Sequence, residues 1–471
     1  MKLQKYILPI LVVLYVSSCK THPLESYDLV IQNGQIIDLT TGKLTSQDLY
    51  IKEGKIVKIE SPENDEPFEA KKTIDASNNY ILPGFWDNHT HFRGGDSLII
   101  ENKNLLPLFL AHGITTVRDA GGDLTPSVMQ WQKAIDAGEL DGPTIYTSGP
   151  KIDGPNGTWA GSLEVVTDND INRALDSLEV LKTDFVKIYD SRISGEAYIN
   201  TLKETDKRGL ITSGHMPFTV TLKETVDAGI DAVEHLYYIM KGCSAVENEV
   251  TQMLKNKEIG FWQAMPLLQQ GYQSSTAQET FALLKDKNVY VVPTLHIGKT
   301  LSYLDEVDHE NDPYLRYMGK GILKTYEGRI QSALRASEKA RKDRKELDQF
   351  FGTLTKSLND AGVKLLAGSD SGAYNSYTYP GISLHKELEA MVLTGMTPLE
   401  ALRTSAYNGA HFLKKDTTHG TIALGKQADL VLLGANPLEN INNTQKINSV
   451  IHNAKVYTKE QLASMLEALT N

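Results

Sequence analysis

An α/β chain with a (β/α)8 TIM-type barrel, joined to a small β-sandwich made from both chain ends, is the architecture this sequence predicts. Three observations carry that reading: eight apolar strand-length runs alternate with helical stretches through the middle, short strands with glycine turns open the chain, and similar strands close it. Strands separated by helices imply a parallel sheet, and eight such units are the number that closes a barrel. The expected boundaries are 20–80 and 420–471 for the β-sandwich, 81–419 for the barrel, and 1–19 for a separate leader.

The leader differs in kind from the rest. Lys2 and Lys5 precede an apolar run over 7–16, broken only by Pro9, and then Ser17-Ser18-Cys19. The run is too short to span a bilayer, and small residues sit where a cleavage site would fall. The segment resembles the lipobox of bacterial lipoproteins, which implies export and lipidation of Cys19. The mature chain would then be anchored to a bacterial membrane on its periplasmic or cell-surface face.

Next come alternating runs over 28–37 and 49–59, where Asn33-Gly34 and Glu53-Gly54 signal hairpin turns. The runs at 428–433 and 449–457 have the same character, so both chain ends are assigned to one sandwich. The barrel strands are read at 81–86, 113–118, 144–147, 185–189, 210–213, 232–235, 289–293 and 363–367. Their spacing is uneven at one place, between the seventh and eighth, where a charged stretch over 301–348 predicts a solvated helical insertion near the barrel mouth.

With 41% hydrophobic and 23% charged residues among 471, the chain can bury a large core and is neither disordered nor polytopic. Losing Lys2 and Lys5 with the leader takes the net charge from −11 to −13. So acidic a surface argues against nucleic acid as a partner, because phosphate contacts need clustered Lys and Arg. The expected partner is a small-molecule substrate; a homo-oligomer is compatible with the sequence. Cys243 is the only other cysteine, so acylation of Cys19 leaves no internal disulfide.

Chemistry concentrates at strand ends. His89 and His91 follow the first barrel strand two residues apart, so both imidazoles point the same way and can reach one metal ion. Lys187 lies between Val186 and Ile188; if these face the helices, its amine faces the barrel interior. An ammonium cannot ligate a metal, and an unpaired buried charge costs several kcal/mol by the usual estimate. A carbamate formed with carbon dioxide resolves both problems, since its two oxygens can bridge metals about 3.5–4 Å apart. His215 and His235 follow the fifth and sixth strands, 28 and then 20 residues on from Lys187, a spacing that suits successive βα units. Asp370 ends the eighth strand in a glycine-rich turn, where a carboxylate can touch both a metal and its water.

In chain order and context these six residues resemble the amidohydrolase superfamily. Residues 81–89, 113–119 and 420–431 also look like its framework signatures, so the likeness covers nearly all of the mature chain. More closely, the chain is similar to the branch of imidazolonepropionase-like enzymes and Xaa-Pro dipeptidases. Lys187 favours the binuclear, peptidase-like side of that branch. The resemblance implies that His89, His91 and Asp370 hold a more buried divalent ion and that His215 and His235 hold a more exposed one. It also implies that carboxylated Lys187 bridges the two and that Asp370 moves the catalytic proton. Zinc is the default expectation, though the ligands suit manganese, iron or cobalt as well.

The activity implied is hydrolysis of an amide bond in a dipeptide, an N-acyl amino acid or a cyclic amide. A lactonase, esterase or deaminase could use the same site, and a binding lipoprotein that has lost turnover is the reading from another class. Dipeptidases of this branch hold substrate with a histidine after strand three, yet no histidine occurs here between His112 and His215. Candidate pocket residues are Tyr237, Tyr238, Trp159, Lys151, Arg192 and His296.

Overall fold

A computed structural model describes residues 24–64 and 67–470. Cys19 and the whole expected leader lie outside the described residues. Among those described, no helix is long and apolar enough to cross a membrane.

Both chain ends do meet in one β-structure. Eight strands share a continuous ladder, in which the C-terminal Leu430–Leu433 pairs with the N-terminal Tyr80–Pro83, itself paired with Glu25–Ile37. Leu29, Ile31, Leu49 and Ile56 from one end and Leu430, Leu432 and Ile451 from the other share one apolar core. The Glu53-Gly54 pair makes the expected turn, with both residues at positive φ, 50° and 72°.

Asn33-Gly34 does not turn the chain. Glu25–Ile37 is a single strand that passes through it with a bulge, Asn33 at φ 63° and its N–H donating to Asp48 Oδ1 at 2.8 Å. The bulge lets one strand change partners, from Phe68–Asp75 before it to Tyr80–Pro83 after it. A side chain at Gly34 would collide with Ile81, so the close approach requires glycine.

The run read as the first barrel strand is also divided. Tyr80–Pro83 belongs to the terminal sheet, and after Gly84 the barrel begins with Phe85–Thr90. It continues through Ile114–Asp119, Thr144–Thr147, Val186–Ile188, Thr212–Gly214, Ala232–Glu234 and Tyr290–Val292. The eighth strand is irregular. Leu365 bridges Val291 and Ser371 bridges Thr90, so residues 365–371 close the ring between the seventh strand and the first. Between strands three and four the ring is completed by Asp184 N–H donating to the Thr147 carbonyl at 2.9 Å. Trp86, Tyr146, Phe185, Tyr290 and Leu366 form an apolar plug inside the barrel with Phe412.

The insertion before strand eight is helical as expected, built mainly from Lys320–Leu334 and Glu338–Asp360. A second excursion was not foreseen: Leu236–Gly242, Glu247–Lys255, Phe261–Gln270 and Ser274–Asp286 all lie between strands six and seven. Their patterns read as ordinary amphipathic helices, which periodicity alone cannot assign to an insertion or to the barrel wall.

Candidate metal centre

His89 and His91 leave the end of strand one as the period of two predicts, with ring centroids 5.0 Å apart. His89 is fully buried, and neither of its ring nitrogens has a hydrogen-bond partner. Its Nε2 lies 3.4 Å from Asp370 Oδ1, and His91 Nε2 lies 3.1 Å from the same oxygen. His91 Nδ1 bonds the Gly121 carbonyl at 2.9 Å, which fixes the tautomer and leaves Nε2 free as a ligand. The ring of His235 lies 5.3 Å from that of His89 and 4.8 Å from that of His215.

The outer nitrogens of the second histidine pair are also held. His235 Nδ1 meets Thr294 Oγ1 at 2.7 Å, and His215 Nδ1 lies 3.1 Å from Asp190 Oδ1. The Tyr238 hydroxyl donates to the other oxygen of Asp190 at 2.7 Å. Lys187 is buried as its flanking valine and isoleucine required, and its amine forms an ion pair with fully buried Glu234. Glu234 in turn accepts from Arg118 at 3.1 Å and from the Ser213 hydroxyl at 2.6 Å.

Burial dominates the electrostatics. It pushes His89 down to about 4 and holds His91, His215 and His235 well below the ordinary imidazole range. These rings are therefore neutral near pH 7, the form that ligates metal. Burial, with Arg118 and Lys151 adding to it, likewise keeps the Lys187 amine well below its usual range. Asp370 is pushed up by burial, but the His89 and His91 imidazoles overcome this and hold it well below the usual carboxylate range.

Ligand atoms of His89, His235 and Asp370 all lie within 4.8 Å of one another, so this trio can hold a metal ion. The donor set fits a borderline divalent cation, and the buried, unpartnered nitrogens of His89 are what such an ion would satisfy.

The pocket over these groups is walled by Arg93, Trp159, Tyr189, Tyr237, Arg329 and Asn375, together with the histidines and Asp370. Of the proposed pocket residues, Trp159 and Tyr237 line it. Tyr238 stands behind His215 and acts on that ring through Asp190. Lys151 lies behind the wall with its amine over the Trp159 and Tyr189 rings, and burial pushes it down to about 7. Arg192 is exposed and outside the pocket; only its backbone N–H is engaged, by Asp153. His296 turns away, its N–H donating to Glu387 at 2.7 Å and its ring under the influence of Lys386 and Glu389.

Sequence reasoning missed Arg93, Glu234, Asp190, Thr294 and Asn375. Each is an ordinary residue type near a ligand in the chain or brought from another loop; the Asn375 amide donates to Asp370 Oδ1 at 2.7 Å. Glu234 and Asp190 did carry a signal, since Glu234 is the last residue of Ala232–Glu234 and Asp190 lies two residues past Val186–Ile188.

Residues 80–457 match the amidohydrolase family. An adenine deaminase of Geobacillus kaustophilus (strain HTA426) is 41% identical over 90 residues, 19% of this chain, and the matched part is 14% of that relative's length. The ochratoxinase of Aspergillus niger is 22% identical over 428 residues, covering 79% of this chain and 74% of that one. Among solved structures, a Xaa-Pro dipeptidase with methionine bound in its active site superimposes with a TM-score of 0.66 at 19% identity, over 91% of this chain and 99% of the other. That likeness concerns the fold.

Proposed function

Because this chain belongs to the amidohydrolase family, we propose that it is a metal-dependent hydrolase that cleaves an amide bond in a dipeptide, an N-acyl amino acid or a cyclic amide. The observation that carries this reading is the convergence of His91, His215, His235 and Asp370, from four separate strand ends, on one pocket with His89 at its floor.

In this reading His89, His91 and Asp370 would hold one divalent ion, His215 and His235 would hold a second, and a carboxylated Lys187 would serve both. Zinc is the first choice of metal. Bound there, such ions supply Lewis acidity and acidify water to near neutral pH. The chain's own residues do the rest. Asp370, ionised and held by Asn375, accepts the proton of the attacking water and delivers it to the departing amine. Gly121, Asp190 and Thr294 hold the outer imidazole nitrogens, so the inner ones keep their aim. Trp159 and Tyr237 supply aromatic wall to the pocket. Export and a lipid anchor at Cys19 belong to the same proposal.

A deaminase is the second reading, favoured by the 90-residue match to adenine deaminase. The test is metal content per chain for protein purified with bicarbonate, wild type beside Lys187→Ala, with amide hydrolysis and ammonia release followed together. About two metals falling to one or none, with loss of amide hydrolysis, is the expected result. One metal unaffected by the substitution, with ammonia the only product, would replace this reading with the second.

A further inference from the structure

Beside the metal pocket lies a second cavity, of about 200 Å³ against about 140 Å³ for the metal pocket itself. The walls it does not share come from the two helical excursions rather than from barrel strands. Trp262 is on Phe261–Gln270, Ala333 on Lys320–Leu334 and Leu347 on Glu338–Asp360. Tyr237, Gly298, Leu301, Arg329 and Phe351 line both cavities. Tyr237 and Phe351 meet edge to face there, with ring centres 5.0 Å apart.

Gly298 marks where the two cavities meet. It lies inside the helix Leu295–Ser302, where only proline is less favoured than glycine. Neither its backbone conformation nor close packing calls for a glycine. A Cβ built there would have no neighbour outside its own stretch of helix nearer than Asp348 Oδ1, at 3.8 Å. The missing side chain therefore leaves open space at the junction.

Charge reaches the second cavity through Arg329, Arg344 and Asp348, and its other walls are aromatic, aliphatic or small. The Arg344 guanidinium carbon lies 5.2 Å from the centre of the Trp262 ring. Burial pushes the Asp348 carboxyl up to about 6, which marks this wall as poorly hydrated. An apolar cavity of about 150 Å³ is enough to hold benzene. The second cavity thus has room for an aromatic ring or a run of several methylenes. In the amide-hydrolase reading the metal pocket is taken up by the scissile amide and the groups that attack it, so a large substituent needs space elsewhere.

We propose that the second cavity receives a large apolar substituent of the scissile amide, an alkyl chain or an aromatic ring, and that Gly298 keeps the way to it open. The helical excursions would then set substrate choice, while the barrel strands supply the chemistry. The substrate class rests on the amide-hydrolase reading; the apolar site itself rests on the shape and lining of the cavity.

The test uses two series with the holoenzyme: N-acylglycines from acetyl to decanoyl, and N-acetylglycine beside N-acetyl-L-phenylalanine. Wild type is expected to gain about 3- to 4-fold in kcat/KM for each methylene that enters the cavity, levelling off once it is full. The series that shows the gain tells which side of the amide carries the substituent. Gly298→Leu, which improves the helix and fills the junction, should flatten that gain. Trp262→Ala, at a ring that is 55% exposed and that the fold can spare, should reduce it. Binding of octanamide and acetamide is measured by calorimetry in the Asp370→Asn holoenzyme, with and without Gly298→Leu. No gain in either series together with equal binding of the two amides overturns the proposal, as does a gain that both Gly298→Leu and Trp262→Ala leave unchanged. If no compound is hydrolysed, yet octanamide binds more tightly than acetamide and Gly298→Leu removes the difference, the cavity stands and amide hydrolysis is the reading that fails.

Discussion

Glu234→Gln keeps the shape of a side chain and removes one buried charge, and its cost can be worked from the contacts. Glu234 is fully buried and accepts from Arg118 at 3.1 Å and from Ser213 at 2.6 Å. Arg118 is buried too; its remaining contacts are the Asn88 carbonyl, the Ser213 hydroxyl at 2.9 Å and the rings of Phe185 and Phe412, each 5.0 Å away. With glutamine in place the Arg118 guanidinium and the Lys187 amine keep an acceptor and lose their carboxylate. Breaking a buried pair costs about 3–5 kcal/mol, and the amide hydrogen bond that survives recovers about 1. The expected loss is therefore about 2–4 kcal/mol, with Glu234→Ala at the upper end. At about 1 °C per kcal/mol for a chain of this size, the unfolding midpoint falls by about 2–4 °C. Thermal melts by circular dichroism, checked against urea titration, measure it directly. A midpoint within about 1 °C of wild type would refute the argument, as would an Arg118→Met/Glu234→Gln double variant whose loss equals the sum of the single losses.

Three further outcomes follow from the same contacts. Asp370→Asn should retain its metals and lose most turnover, because asparagine tolerates the local φ of 53° yet cannot take a proton; full activity would remove Asp370 from the proton transfer. Tyr238→Phe deletes the hydroxyl that steadies Asp190 behind His215, and should weaken metal retention about 10-fold or more while leaving the pocket wall intact, as a chelator titration would reveal. His385 is buried between Thr444 and the His112 carbonyl, each at 2.9 Å, and burial pushes it down to about 3. The unfolded ring titrates near 6.5, so between that pH and about 3 unfolding takes up a proton. Stability from this residue is intact above about pH 6.5 and falls by up to about 1.4 kcal/mol per unit as pH drops. Stability curves for wild type and His385→Gln should converge on acidification; parallel curves would refute this.

The ligand candidates were legible because each is a reactive residue type placed where an apolar run ends. His89, His91, Lys187, His215, His235 and Asp370 were all found by that criterion, and the structure gathers them at one end of the barrel. What was not legible depended on long-range pairing. The Asn33-Gly34 dipeptide has the composition of a turn, but tertiary pairing with two different strands makes it a bulge. Residues 81–86 form one apolar run in sequence but serve two sheets, and nothing local marks Gly84 as the division. The pocket candidates were chosen by place in the chain, Tyr237 and Tyr238 directly after His235 and the others in loops beyond strand ends. That criterion found Tyr237 and also Tyr238, which points the other way, and it could not find Arg329, which arrives from a helix far along the chain.

Backbone strain explains why so many of these side chains need partners. His235, Thr294 and Asp370 lie at φ 69°, 52° and 53°, each in the left-handed region and each just past a strand of the barrel. Such positions cost about 1–3 kcal/mol apiece and persist only where the surroundings over-determine them. Here they do: His235 N–H donates to Val292 at 2.9 Å, its ring is held by Thr294 at 2.7 Å, and Asp370 N–H donates to His89 at 2.7 Å. Two of the three are candidate metal ligands, and the third orients one of them. A strand that continued straight would alternate its side chains between barrel interior and helices. The left-handed step breaks that alternation and turns the next group toward the pocket. The strain is thus tied to aiming, and it predicts that glycine at Thr294 would relax the backbone while releasing the ring of His235. The chain would gain local stability and lose metal affinity together, a trade that a purely structural role for these residues would not produce.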